Sequence, residues 1–208
     1  MIDLYTFNTP NGRKVSILLE ELGVPYTAHR VSIMDGDQFK PEFLAISPNN
    51  KIPAIIDRNA DGGVPVSVFE SGAILIYLAE KYGKFLPTNP AGRAATLQWL
   101  MWQMGGLGPM TGQLGYFHKF AKEDVPHAKE RYLNEVKRLF GVLNKQLETT
   151  GAYVTGDDYT IADIAIVPWV MALDFYGLAD MIEEQPAIKR YVDQIGERPA
   201  VKAGWTVV

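Results

Sequence analysis

Asn49-Asn50-Lys51-Ile52-Pro53-Ala54-Ile55-Ile56, followed after a short interval by Phe69-Glu70-Ser71-Gly72-Ala73-Ile74, decides the fold of this chain. The first stretch reads as a loop, an Ile-Pro step and a buried strand. The second reads as a strand end and a helix opened by an acid and a hydroxyl. An Ile-Pro step at a strand entrance is a candidate cis peptide, because proline narrows the trans preference and suits tight turns. Such a turn leaves the amide and carbonyl of Ile52 open to an extended peptide laid beside them, as an added strand would be. A helix starting at Ser71 aims backbone N–H groups and a positive dipole end at a carboxylate. Glu70, just ahead of it, is placed to hold an amine. Together these features suit a small peptide zwitterion. Each part alone also has a plain structural meaning, since proline often starts strands and serine often caps helices. The ordered set is more specific, with Lys51 before the Ile-Pro step and Glu-Ser after a strand.

Working outward, Ile2 to Phe7 alternates as a strand does, and Asn8-Thr9-Pro10-Asn11-Gly12 breaks it. Val15, Leu18, Leu19 and Leu22 then recur at helical spacing, and Gly23 ends the helix. Tyr26 to Ser32 reads as a second strand, so a parallel βαβ unit is expected. Phe39 to Ala45 reads as a short helix. Ala54 to Asp57 and Val66 to Phe69 flank the turn Asn59-Ala60-Asp61-Gly62-Gly63 and form a hairpin. Ser71 to Tyr82 is a helix stopped by Gly83. The order βαβ, α, ββα is the thioredoxin-like arrangement.

Pro87-Thr88-Asn89-Pro90 marks a linker, and beyond it no strand pair stands out. Ala94, Leu97, Met101 and Met104 step as one helix face, as do Tyr132, Val136, Leu139, Leu143 and Leu147; both stripes are expected to be core. Thr160-Ile161-Ala162-Asp163 opens a helix with a relative of the capping box. Ala187 to Gly196 is a last helix before Pro199. The Gly105-Gly106-Leu107-Gly108-Pro109-Met110 cluster lacks the lysine and spacing of a phosphate-binding loop and is expected to bend or end a helix. The expected organisation is α/β plus all-α, with a thioredoxin-like domain over 1–84 and a helical domain over 91–208.

Composition narrows the chemistry. The chain has 208 residues, 47% of them hydrophobic and 21% charged, enough for a full core without a disorder bias. A net charge of −4 argues against nucleic acid as a partner. No apolar run has membrane-spanning length and no leader opens the chain, so a cytoplasmic protein is expected. There is no cysteine, which excludes disulfides, thiolate metal sites and a protein-borne redox pair. The three histidines, His29, His118 and His127, share no metal-ligand spacing, and no metal is expected. Any thiol chemistry must use sulfur supplied by a bound small molecule.

Thr9-Pro10-Asn11-Gly12, Ser47-Pro48-Asn49-Asn50-Lys51-Ile52-Pro53-Ala54-Ile55 and the segment from Gln98-Trp99-Leu100-Met101-Trp102-Gln103 through Gly105 to Met110 carry a resemblance that runs over essentially the whole chain. The chain resembles the glutathione transferase superfamily, most of all the bacterial nu class. The resemblance implies a glutathione-dependent disulfide-bond reductase, with organic hydroperoxides as further substrates. The alternatives are a transferase joining sulfur to electrophilic carbon, and a non-catalytic glutathione or ligand-binding module. It implies that Thr9 and Asn11 contact the glutathione sulfur. Lys51 would meet the glycine carboxylate, with Gln38 as a further contact there. Ile52 would pair with the cysteinyl backbone, and Glu70 and Ser71 would hold the γ-glutamyl end. A thiolate is the reactive form of a thiol, and hydrogen bonds to it or a nearby helix N-terminus favour it. On local sequence alone, Asn11 as a helix cap beside a solvated Thr9 is the simpler reading. Tyr5 is a rival thiolate contact, because related classes use a tyrosine near the end of the first strand; its plainer role is a packed strand aromatic. The class is also associated with two glutathiones per site, and Gln103, Tyr116, His118 and Arg131 are candidates for the second. A homodimer is implied as well.

Overall fold

The computed structural model describes residues 1–208. It contains two compact units, one made of residues 1–84 and 197–208, the other of residues 85–196.

The first unit opens with β1 (Ile2–Thr6), α1 (Pro10–Leu22) and β2 (Tyr26–Arg30). A 3-10 turn at Asp37–Phe39 and the four-residue α2 (Pro41–Leu44) follow, then β3 (Ala54–Asp57), β4 (Val66–Phe69) and α3 (Ser71–Tyr82). The sheet order is β2-β1-β3-β4, with β1 parallel to β2, and β3 antiparallel to both β1 and β4. This is the expected βαβ, α, ββα order. Two local expectations shift. β2 ends at Arg30, because the Ser32 amide donates to the Asp37 carboxylate at 2.9 Å and the chain turns away. The helix expected from Phe39 splits before Pro41, which has no N–H to continue a helix but suits its first position. α1 ends as its sequence indicates, with Gly23 left-handed at φ 66° and its amide on the carbonyls of Leu19 and Glu20.

The end of the chain departs from expectation. Residues 197–208, assigned above to the helical domain, belong to the first unit. Their helix α10 (Pro199–Gly204) packs on α1. The Ser16 hydroxyl donates to the Gly204 carbonyl at 2.6 Å, and Arg198 grips Glu21 with two bonds of 2.6 and 2.8 Å. A methyl group at position 204 would lie 2.6 Å from Cα and N of Ile17, so only glycine permits this approach. Local pattern gives no hint of a contact between residues 188 positions apart.

The second unit is helical apart from one isolated bridge between Tyr153 and Gly156. α4 (Pro90–Trp102) passes into a π-helical turn at Gln103–Leu107, then α5 (Gly108–Gly115) and a second π-helical turn at Tyr116–Phe120. α6 (Pro126–Thr150), α7 (Ile161–Tyr176), α8 (Asp180–Glu183) and α9 (Pro186–Gly196) complete it. The glycine cluster thus distorts a helix without ending it. Gly112 and Gly115 let α5 approach α7, since methyl groups there would lie 3.2 Å from Trp169 and 2.4 Å from Tyr176. The α6 stripe is core from Val136 to Leu147. The α4 stripe is not: Ala94 and Met101 are exposed, and the buried face is Thr96, Leu100, Gln103 and Leu107. α7 carries the anticipated capping box, with Thr160 and Asp163 bonded reciprocally. Asp163 is wholly buried and also accepts from Val154 N–H and the Tyr191 hydroxyl. Burial raises its carboxyl above the usual aspartate range, against the pull of these donors. No helix is long and apolar enough to cross a membrane.

Candidate active site

Strand register brings the singled-out residues of the first unit to one edge of the sheet. Tyr5, near the end of β1, pairs with Ala54 at the start of β3, and Ala54 pairs with Phe69 at the end of β4. Thr6 pairs with Arg30 at the end of β2. The segments leaving these ends are Thr9–Asn11, Lys51–Ile52, Glu70–Ser71 and, after β2, the turn bearing Gln38. With strands roughly 5 Å apart, β1 to β4 spans about 10 Å. An extended tripeptide covers about the same distance.

Thr9 is the N-cap of α1, in extended conformation at φ −132° and ψ 161°. Its Oγ1 accepts from Gly12 N–H at 3.2 Å. The hydroxyl proton is therefore not used in capping and can be donated outward. Thr9, not Asn11, is the cap. Asn11 follows Pro10 in the first helical turn, where backbone amides precede the intrahelical ladder. Tyr5 stacks on His29 with ring centroids 4.6 Å apart and packs against Val31, Phe43 and Ala54. These are the contacts expected of a packed strand aromatic.

The Ile52–Pro53 peptide is cis. The N–H and C=O of Ile52 make no hydrogen bond within the chain, while its side chain packs against the same Val31, Phe43 and Ala54 cluster. The loop before it is fixed by Ser47, whose hydroxyl donates to the Lys51 carbonyl at 2.8 Å. Asn50 there takes a left-handed φ of 48°, with its N–H on the Ser47 carbonyl at 2.9 Å. The Lys51 side chain is exposed. Gln38 keeps a buried Oε1 without a partner in the chain.

Glu70 has φ 70° and ψ 116°, a conformation that side chains rarely adopt. Backbone placed this way costs about 1–3 kcal/mol and is found where function demands it. Its carboxylate accepts from Asn49 Nδ2 at 3.3 Å, and its carbonyl starts α3 by accepting from Ile74 N–H. Ser71, the first residue of α3, is buried.

Beneath Ser71 lies a residue that sequence reasoning missed. Lys14 of α1 is 1% exposed, and its Nζ donates to Ser71 Oγ at 3.3 Å. Lysine is almost never fully buried unless paired. Burial lowers the Lys14 pKa to about 7, with the negative charge of Glu70 opposing the fall. A usable signal was present: Lys14 interrupts a helix whose neighbours Val15, Ile17 and Leu18 are apolar. No group of three or more His, Asp or Glu side chains is placed to hold a metal ion.

The candidates for a second ligand lie in the other unit. Arg131 is exposed on α6, and Tyr116 and His118 are exposed in the second π-helical turn. Gln103 is buried at the head of the first π-helical turn, its amide nitrogen facing Gly108.

Family models match the chain over residues 9–81 (glutathione S-transferase, N-terminal domain) and 113–203 (glutathione S-transferase, C-terminal domain). The disulfide-bond oxidoreductase YfcG of Escherichia coli is 53% identical over 96% of this chain and 92% of its own length. The disulfide-bond oxidoreductase YghU of the same organism is 44% identical over 98% of this chain and 73% of its own. Among solved structures, a glutathione transferase family member from Pseudomonas fluorescens, with two glutathione bound, has a TM-score of 0.95 at 52% identity, covering 98% of this chain and 92% of that one. A glutathione transferase from Pseudomonas putida, with one glutathione disulfide per subunit, has a TM-score of 0.95 at 50% identity, covering 99% and 90%.

Proposed function

The chain belongs to the glutathione S-transferase family, and from that premise we propose that it is a glutathione-dependent disulfide-bond reductase. The observation that carries the reading is the Thr9 hydroxyl. It already accepts from Gly12, so its proton is left to donate to a sulfur beside the N-terminus of α1. Asn11 supplies the second polar contact. Lys51 and Gln38 meet the glycine end of glutathione, Ile52 pairs with the cysteinyl backbone through its N–H and C=O, and Glu70 and Ser71 hold the γ-glutamyl amine and carboxylate. Support comes from the shared sheet edge and from the two disulfide-bond oxidoreductases that this chain resembles.

The thiolate attacks one sulfur of the substrate disulfide, forming a mixed disulfide and expelling the other sulfur as thiolate. A second glutathione thiolate attacks the mixed disulfide, releasing the remaining substrate thiolate and leaving glutathione disulfide. The chain has no cysteine of its own to act as resolving thiol. The bound glutathione disulfide of the Pseudomonas putida relative fits such a product. Arg131, exposed and able to grip a carboxylate with two bonds, is assigned to the second glutathione. Gln103, the other candidate for that contact, is buried at the head of its π-helical turn. The same thiolate suits organic hydroperoxides as minor substrates. The reading places the protein in the cytoplasm, where the glutathione pool is held reduced. It also makes the protein a homodimer.

The test compares glutathione-dependent reduction of hydroxyethyl disulfide with conjugation of an aryl halide, in wild type and Thr9→Ala/Asn11→Ala. Strong disulfide turnover with weak conjugation, lost in the double variant, is expected. Dominant conjugation would make the protein a transferase. Glutathione binding without turnover of either substrate would make it a binding module.

A further inference from the structure

Lys14 is the one wholly buried lysine beside the proposed glutathione site, and nothing in the chemistry above uses it. It sits in the second turn of α1, is 1% exposed, and donates to Ser71 Oγ at 3.3 Å. An ammonium only donates hydrogen bonds, and a serine hydroxyl both donates and accepts. Once Ser71 Oγ accepts from Lys14, the serine proton must point elsewhere. Ser71 opens α3, where backbone amides and the positive dipole end already favour an anion.

We propose that Lys14 is a positioning residue for the γ-glutamyl carboxylate of glutathione: its ammonium turns the Ser71 hydroxyl into a dedicated donor and sets a buried positive charge behind the start of α3. This inference rests on the assignment of Ser71 to that carboxylate. The ligand contacts Ser71, and Lys14 acts through it.

The surroundings agree. The elements packed on α1 are β1, α3 and α10. Their ionisable side chains are Asp3 and Tyr5 on β1, Tyr77, Glu80, Lys81 and Tyr82 on α3 with Glu70 just before it, and Lys202 on α10 with Arg198 just before it; α1 itself adds Arg13, Glu20 and Glu21. Among these, Glu70 acts on Lys14 by charge and favours the ammonium. Glu70 is exposed and is assigned to the ligand amine, so pairing with that amine lessens what it offers Lys14. A bound carboxylate replaces it. Burial lowers the Lys14 pKa to about 7, so above that pH a carboxylate bound at the start of α3 completes the ammonium, and binding takes up a proton.

The test uses two ligands without a titrating thiol, S-methylglutathione and γ-aminobutyryl-S-methylcysteinylglycine. The second keeps the amine and lacks the α-carboxylate. Calorimetric titrations are run on wild type, Lys14→Met and Ser71→Ala, in buffers of different ionisation enthalpy. Lys14→Met is expected to weaken S-methylglutathione roughly ten- to hundredfold, as for one charge-assisted bond, and to leave the carboxylate-free ligand unchanged. Wild type at about pH 8 is expected to take up a large fraction of a proton with S-methylglutathione and much less with the other ligand. A purely structural lysine would weaken both ligands alike, and that result overturns the proposal. So does equal proton uptake with the two ligands in wild type, a measurement that needs no variant to fold. If Ser71→Ala binds both ligands as wild type does, the assignment of Ser71 itself fails, and the role of Lys14 falls with it. If Ser71→Ala loses affinity for S-methylglutathione alone while Lys14→Met does not, only the lysine proposal fails.

Discussion

Thr9→Asp separates two duties that one hydroxyl performs. Thr9 Oγ1 caps α1 by accepting from Gly12 N–H at 3.2 Å, and in the proposed mechanism its proton stabilises the glutathione thiolate. Alanine removes both. Loss of a cap costs about 1 kcal/mol, and for a chain of 208 residues this lowers Tm by roughly 2–4 °C. Loss of one hydrogen bond to a charged sulfur costs roughly 1.5–3 kcal/mol, which raises the pKa of the bound thiol by about 1–2 units. Aspartate caps as well as threonine does and suits a helix N-terminus, so Thr9→Asp should melt close to wild type. Its carboxylate, however, faces the thiolate with like charge, and the bound thiol should titrate higher than in Thr9→Ala. Serine should preserve both properties. The assay is a thermal melt run beside a pH titration of thiolate absorbance in bound glutathione, followed by turnover of hydroxyethyl disulfide. Wild-type sulfur titration in Thr9→Asp would refute the role of the hydroxyl in stabilising the thiolate. A melt as low as that of Thr9→Ala would refute the capping argument.

Glu70→Gly should melt above Glu70→Ala, because glycine tolerates φ 70° where alanine does not; both should raise KM for glutathione in steady-state kinetics, and equal melts would show that the backbone there is unstrained. Gly204→Ala puts a methyl 2.6 Å from the α1 backbone at Ile17 and should destabilise by about 1–3 kcal/mol, read by denaturant unfolding. Lys14 gives the ligand-free protein a pH dependence of definite sign. Its pKa is about 7 when folded against the ordinary 10.5, so between those values the unfolded chain holds the extra proton and stability rises with pH. Below about pH 7 both states carry the charge and the penalty for burying it is complete, on the order of a few kcal/mol. Lys14→Met should therefore melt above wild type at about pH 6, with the gap closing toward about pH 10; a gap independent of pH would show that Lys14 does not titrate in this window.

What the sequence shows and what it hides follow one physical division. The hairpin Ala54–Asp57 and Val66–Phe69, the Gly23 and Gly83 stops and the Thr160–Asp163 capping box rest on backbone preferences and contacts a few residues long. Each is written where it acts, and each was legible. The proposed site is half of this kind, since Thr9, Ile52 and Ser71 stand at element ends that punctuation marks. The α4 stripe failed for a different reason. Apolar spacing reports a face that avoids water, not whether this chain or another surface covers it, and the buried face holds Thr96 and Gln103 instead. The docking of α10 and the Lys14–Ser71 pair join residues 188 and 57 positions apart, beyond any local signal. Even so, the lysine was not invisible. A charge set among Val15, Ile17 and Leu18 on a helix must either reach water or find a partner. The second turn of α1, packed under the start of α3, gives it no route to water. Packed against it is the start of α3, whose Ser71 hydroxyl accepts from the ammonium.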